Sequence, residues 1–139
     1  MFTELQAGSY CFMDADYGKN LDAAGVPVTR FAHSLFVLAT IMSAPRPGIA
    51  VTDCGHKSIA IESGMPLVWQ RPDLRFVSAS DEHGKLEFDP AIPSPRIGDK
   101  LRLVPSHCDP TVDRFDWYVG VRKGRVECLW PIAARGGAY

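Results

Sequence analysis

The chain has 139 residues and a formal net charge of −1, from 15 basic and 16 acidic side chains. That is ordinary single-domain length, enough for a buried core, and no Lys/Arg cluster is dense enough to mark a nucleic-acid footprint. No apolar run approaches the roughly 20 residues that span a bilayer, and Met1-Phe-Thr-Glu-Leu-Gln6 lacks the basic and apolar regions of a signal peptide, so a cytoplasmic protein touching neither membrane nor nucleic acid is expected.

Eleven prolines and twelve glycines are scattered along the chain. They cut it into short segments, which favours strands over long helices. An apolar strand before Asp14 leads through Asp14, Asp16 and Tyr17 into a Gly/Asn/Asp-rich loop, Gly18 to Gly25. His33, ahead of the next apolar run, reads as a structural histidine. Ser34 to Ser43 is continuously apolar, which fits a doubly buried strand or a core helix. With Pro45 and Pro47 closing it and a return strand following, the strand is the better fit. Ile49 to Asp53 and Ser58 to Ile61 also read as strands, with Asp53 and Lys57 placed to pair around a tight turn at Gly55.

Leu74 to Val77 and Leu86 to Phe88 flank Ser80-Asp-Glu-His-Gly84, which predicts a hairpin. Leu101 to Val104 alternates and starts from the turn Ile97 to Lys100. Asp116 to Arg122, then Lys123-Gly124, then Arg125 to Trp130 predict a second, tight hairpin. Trp69, Trp117 and Trp130 read as core or interface aromatics. The sum is an all-β, mainly antiparallel fold, a barrel or a sandwich, as one domain over 1–139.

The segment with most chemical content is Pro105-Ser-His-Cys-Asp-Pro-Thr111. In extended backbone, side chains i and i+2 leave the same face. His107 and Asp109 can then point at one divalent cation, for which imidazole and carboxylate are ordinary ligands, while Cys108 projects the other way. The same tripeptide also fits a hydrogen-bonded turn, with Asp109 bonding backbone amides ahead of Pro110. The other cysteines, Cys11, Cys54 and Cys128, form no Cys-x-x-Cys pair with it. That argues against a paired zinc site and for buried free thiols acting as small apolar side chains.

Taken in order, Gly8-Ser-Tyr-Cys-Phe-Met-Asp-Ala-Asp-Tyr17, Asp53-Cys-Gly-His-Lys57, Asp81-Glu-His-Gly84, Pro105 to Thr111, Asp116-Trp-Tyr-Val-Gly120 and Trp130-Pro-Ile132 form a series. It resembles the C-terminal, D-serine dehydratase-like domain of D-threonine aldolases and of eukaryotic-type D-serine dehydratases, from about Glu4 to Trp130. Those are fold-type III pyridoxal-phosphate enzymes, with an alanine-racemase-like barrel ahead of the C-terminal β domain. The resemblance implies a divalent metal (manganese, magnesium or zinc) held by His107 and Asp109. The His-x-Asp form looks like the aldolase branch, since the dehydratase branch carries Cys at the third position.

It also implies a lyase reaction, the retro-aldol cleavage of a β-hydroxy D-amino acid to glycine and an aldehyde, with the cofactor as electron sink and the metal on the substrate hydroxyl. His107 must be neutral to coordinate, so metal affinity is expected to fall at acidic pH. Glu82, His83, Asp14 and Tyr17 lie in matching motifs and are possible active-site lining; turn and loop polarity is the alternative for each. The cofactor lysine of the family belongs to the barrel, and neither Lys19 nor Lys57 matches its position. A (βα) barrel needs roughly 250 residues, and Phe2 to Tyr10 looks like the entry into the β domain.

The expectation is therefore a domain inactive alone, which uses pyridoxal phosphate only where another chain supplies the barrel. Its partner would be that barrel or a second copy, through an exposed apolar face. The alternatives are a dehydratase-type domain or a stand-alone metal-binding or interaction domain without catalysis.

Overall fold

The computed structural model describes residues 3–136, so Met1 and Phe2 lie outside it. Six antiparallel strands close into a barrel in the order β1-β2-β5-β4-β3-β6, and a separate two-stranded sheet, β7-β8, follows. The strands are β1 Val37–Arg46, β2 Ile49–Thr52, β3 Leu67–Val68, β4 Arg75–Ala79, β5 Gly84–Glu87, β6 Lys100–Val104, β7 Trp117–Arg122 and β8 Arg125–Pro131. β1 closes the barrel by pairing with both neighbours, Ile41 opposite Thr52 of β2 and Ala39 opposite Leu101 of β6. The expected all-β antiparallel class is what forms, and the barrel is the form it takes.

Inward residues alternate along each strand, as period-2 geometry requires. Ala39, Ile41, Ala50, Leu86 and Leu103 have no accessible surface, and Phe76, Leu74, Leu101 and Phe88 pack around them. The apolar run in β1 is buried on one face alone. Val37, Ala39 and Ile41 point inward, whereas Leu38 is 68% and Met42 48% exposed, so the doubly buried strand is corrected to a singly buried one. Nor do the prolines close it. β1 runs through Pro45 to Arg46, because Pro45 falls in a register shift between Ser43–Val51 and Arg46–Ile49, where the missing N–H removes no ladder bond.

Two other predicted strands are absent. Ser9–Cys11, before Asp14, is a 3-10 turn. Ser58 to Ile61 is a turn and coil: the amides of Ser58 and Ile59 donate to Gly55 O at 2.9 and 3.0 Å. Buried Ala60 is bonded by side chains instead of a neighbouring strand. The strand β3, only Leu67–Val68, carries too short a signal to be read. Both predicted hairpins form. In β7–β8 the turn residues Lys123 and Gly124 have φ of 49° and 76°, which matches the twist of a primed two-residue turn.

The register decides where the loops meet. Val104 pairs with Leu67, Thr52 with Gly84 and Gly84 with Ala79. The segments after β2, β4 and β6 therefore leave the barrel at the same end. There the turn at Gly55 lies so close to the β4–β5 tip that an added Cβ would stand 2.4 Å from Ser80 O and 2.5 Å from His83 N.

Candidate metal centre

β6 ends at Val104, and Pro105 and Ser106 carry the chain into one helical turn, α1 Cys108–Val112. His107 is the extended residue ahead of it, with φ −141° and ψ 122°, and Asp109 is already helical. The extended i, i+2 geometry predicted for the pair is therefore corrected: a strand-to-helix junction brings them together. His107 Nε2 stands 3.7 Å from Asp109 Oδ2. Cys108 is fully buried beneath them.

Buried polar groups fix this junction from three directions. The Ser106 hydroxyl donates to Ala60 O at 2.8 Å, Ala60 N–H donates to Thr111 Oγ1 at 3.1 Å, and the Thr111 hydroxyl donates to His107 O at 2.8 Å. Cys108 N–H donates to Asp14 Oδ2 at 2.8 Å, and Tyr17 N–H donates to Asp14 Oδ1 at 2.9 Å. Ala15 N–H reaches Pro105 O at 2.9 Å. Ser106, Thr111 and Asp14 are each no more than 2% exposed. Bonds of this kind are costly to break one-sidedly, since the remaining partner stays buried and unpaired.

The side chains around His107 and Asp109 have distinct jobs. Glu62 Oε1 lies 2.8 Å from His107 Nδ1, so this carboxylate takes one ring nitrogen and leaves Nε2 facing Asp109. The Cys108 thiol donates to Asp109 Oδ1 at 3.2 Å. Burial above all pushes that thiol up to about 12. As a donor it occupies Asp109 Oδ1 and leaves Asp109 Oδ2 facing Nε2. Among the described residues no group of three or more His, Cys, Asp and Glu side chains converges on a metal position. Two donor atoms each about 2.1 Å from one ion stand about 3.0 Å apart at a right angle and about 4.2 Å apart in line. The separation of Nε2 and Oδ2 falls between these limits, so the pair fits an ion whose remaining positions are filled by water or substrate.

The other residues singled out in the sequence divide into two sets. Asp14 is at the centre, but buried, with both oxygens engaged by backbone amides; Tyr17 is the exposed neighbour it holds. Glu82 and His83 form the β4–β5 tip. Glu82 pairs with Lys57 at 2.5 Å, and His83 contributes its backbone carbonyl to Ser80 N–H at 2.8 Å. The predicted Asp53–Lys57 pair is thereby corrected: Lys57 reaches Glu82, and Asp53 Oδ1 accepts from Thr40 N–H at 2.6 Å. Arg114, just beyond α1, donates to His56 O at 3.0 Å and ties this second set to the first. His33 bonds Met13 O through Nδ1 and stacks edge-on to Trp69. Glu62 lies in no motif, and its place beside His107 comes from a turn at Glu62-Ser63 that the structure shows.

Residues 34–121 match the family model described as "Putative serine dehydratase domain". The chain belongs to this family. Within it, the chain is 48% identical over 141 residues to the 3-hydroxy-D-aspartate aldolase of Paracoccus denitrificans, covering 100% of this chain and 36% of that one. It resembles the crystal structure of D-threonine aldolase from Filomicrobium marinum with a TM-score of 0.85 and 46% identity, over 95% of this chain and 35% of that one. A shorter relative, an uncharacterised protein of Mycobacterium bovis, is 30% identical over 112 residues, 74% of this chain and 84% of that one. The chain thus spans about a third of the aldolases it matches. Its barrel corresponds to the C-terminal domain of a fold-type III enzyme. No helix among the described residues is long and apolar enough to cross a membrane.

Proposed function

We propose that this chain is the metal-holding part of a D-threonine aldolase-like lyase that cleaves β-hydroxy D-amino acids to glycine and an aldehyde. His107 and Asp109 would hold a divalent cation through Nε2 and Oδ2. The single observation carrying this reading is their 3.7 Å approach with His107 Nδ1 engaged elsewhere. When bound, the cation supplies Lewis acidity to a substrate hydroxyl. Oxygen and nitrogen donors with positions left for water suit manganese or magnesium, and also admit zinc.

What this chain contributes is positioning. Thr111, Ser106 and Asp14 immobilise the backbone on both sides of His107, and the protonated Cys108 thiol orients the Asp109 carboxylate. An aspartate at this third position favours the aldolase over the dehydratase reading. By likeness to the family, pyridoxal phosphate and its lysine would belong to a barrel contributed by further polypeptide. Tyr17, Glu82 and His83 would then line the cleft between the two parts.

Titration of the chain with Mn²⁺ tests the site. His107→Ala and Asp109→Ala are each expected to abolish saturable binding; affinity unchanged in either would refute the assignment. Incubated alone with D-threonine and pyridoxal phosphate, the chain should release no glycine beyond that produced by the cofactor in solution. The short mycobacterial relative favours a second reading, a metal-binding domain working without a covalently joined barrel. The two differ in whether adding a separately expressed barrel restores cleavage.

A further inference from the structure

We propose that Glu62 is a positioning residue for this metal centre, fixing His107 as the Nδ1–H tautomer so that the Nε2 lone pair faces Asp109. The inference rests on the metal reading above and goes beyond it, because Glu62 lies outside the His-x-Asp pair. A neutral imidazole carries one N–H, and the tautomer follows from the bond the other nitrogen makes. A carboxylate oxygen accepts and does not donate, so at 2.8 Å from Glu62 Oε1 the proton sits on Nδ1. The lone pair is then on Nε2, the nitrogen 3.7 Å from Asp109 Oδ2. Glu62 touches the ring on its other nitrogen and is therefore no ligand of the same ion.

The Glu62 side chain is half exposed, but the backbone that carries it is held in place. Glu62 follows Ala60 by two residues, and Ala60 is bonded through both its amide and its carbonyl to Thr111 and Ser106, which flank His107 in the sequence. Lys19 Nζ reaches Ser63 O at 3.4 Å on the far side. The turn that carries Glu62 is thus anchored to the segment that carries His107. A carboxylate on the distal nitrogen of a ligating histidine sets ring orientation and raises ligand basicity, and losing it typically weakens metal binding about 10- to 100-fold.

The test reads the tautomer directly. Long-range ¹H–¹⁵N spectra of the metal-free chain at mildly alkaline pH should show His107 protonated on Nδ1 in wild type and in Glu62→Gln, whose side-chain oxygen still accepts. Glu62→Ala should move the proton to Nε2. Mn²⁺ titration of the same proteins should show affinity about 10- to 100-fold weaker for Glu62→Ala, with Glu62→Gln recovering part of the loss. An Nε2–H tautomer in wild type, or an unchanged tautomer or Mn²⁺ affinity in Glu62→Ala, would overturn the role of Glu62. If His107→Ala abolishes binding in that same series, the failure is of Glu62 alone. If His107→Ala also leaves affinity unchanged, the metal site itself is wrong.

Discussion

Cys108 is the residue whose role changes most once its surroundings are known. Burial holds its thiol protonated, and the S–H donates to Asp109 Oδ1. Cys54 is in a similar state at the base of the Gly55 turn, its thiol pushed from 9.0 up to about 12 by burial and then by the Asp53 carboxylate. A thiol whose folded value lies above its unfolded one stabilises the fold below the unfolded value. That contribution is lost as pH rises through the folded one. Stability is therefore expected to hold to about pH 9 and to fall toward about pH 12, and urea midpoints should decline less steeply over that window in Cys54→Ala. In native protein at mildly alkaline pH, a thiol reagent should label exposed Cys11 rapidly and Cys54 and Cys108 only on unfolding. Rapid labelling of Cys108 would contradict its assignment as a protonated donor.

The elements that matter are the ones joining strands at one barrel end. The Ala60–Thr111–His107 chain replaces strand pairing for Ser58 to Ile61 and couples that segment to α1. Thr111→Val keeps the shape but leaves buried Ala60 N–H unpartnered and removes the hydroxyl bond to His107 O. The expected cost is about 1–3 kcal/mol, read from denaturant midpoints, together with weaker Mn²⁺ binding. At the neighbouring turn, Gly55→Ala forces a Cβ against the backbone of Ser80 and His83. It should destabilise by about 1–3 kcal/mol, and an unaltered midpoint would mean that the two turns do not approach so closely. The hairpins were legible because their alternation and turn residues are local. Ser58 to Ile61 alternates convincingly as a strand, yet its first two amides turn back to Gly55 O and the partners of Ala60 are 46 and 51 residues away, and no local pattern announces them.

On the scale of the whole molecule, the β7–β8 sheet carries an apolar face that no other described residue covers. Its cross-strand pairs put Trp117, Val119, Val121, Val126 and Leu129 on one face, each between 55% and 63% exposed. Phe12 packs near Tyr118 on the other. An apolar face of this kind is where the proposed association, with a barrel or a second copy, would take place. The isolated chain is expected to self-associate as its concentration rises, and Val119→Lys to reduce this in sedimentation velocity without lowering the denaturation midpoint. The sequence by itself determined the all-β class, most strand positions, the family and the His107–Asp109 pair, because alternation, turn residues and ordered motifs are properties of consecutive residues. Only the tertiary structure decided that the barrel closes, that the pair converges at a helical turn, that Cys108 serves Asp109, and that Glu62 meets His107. Those contacts depend on which ends of distant strands share one rim, and register, not local sequence, sets that.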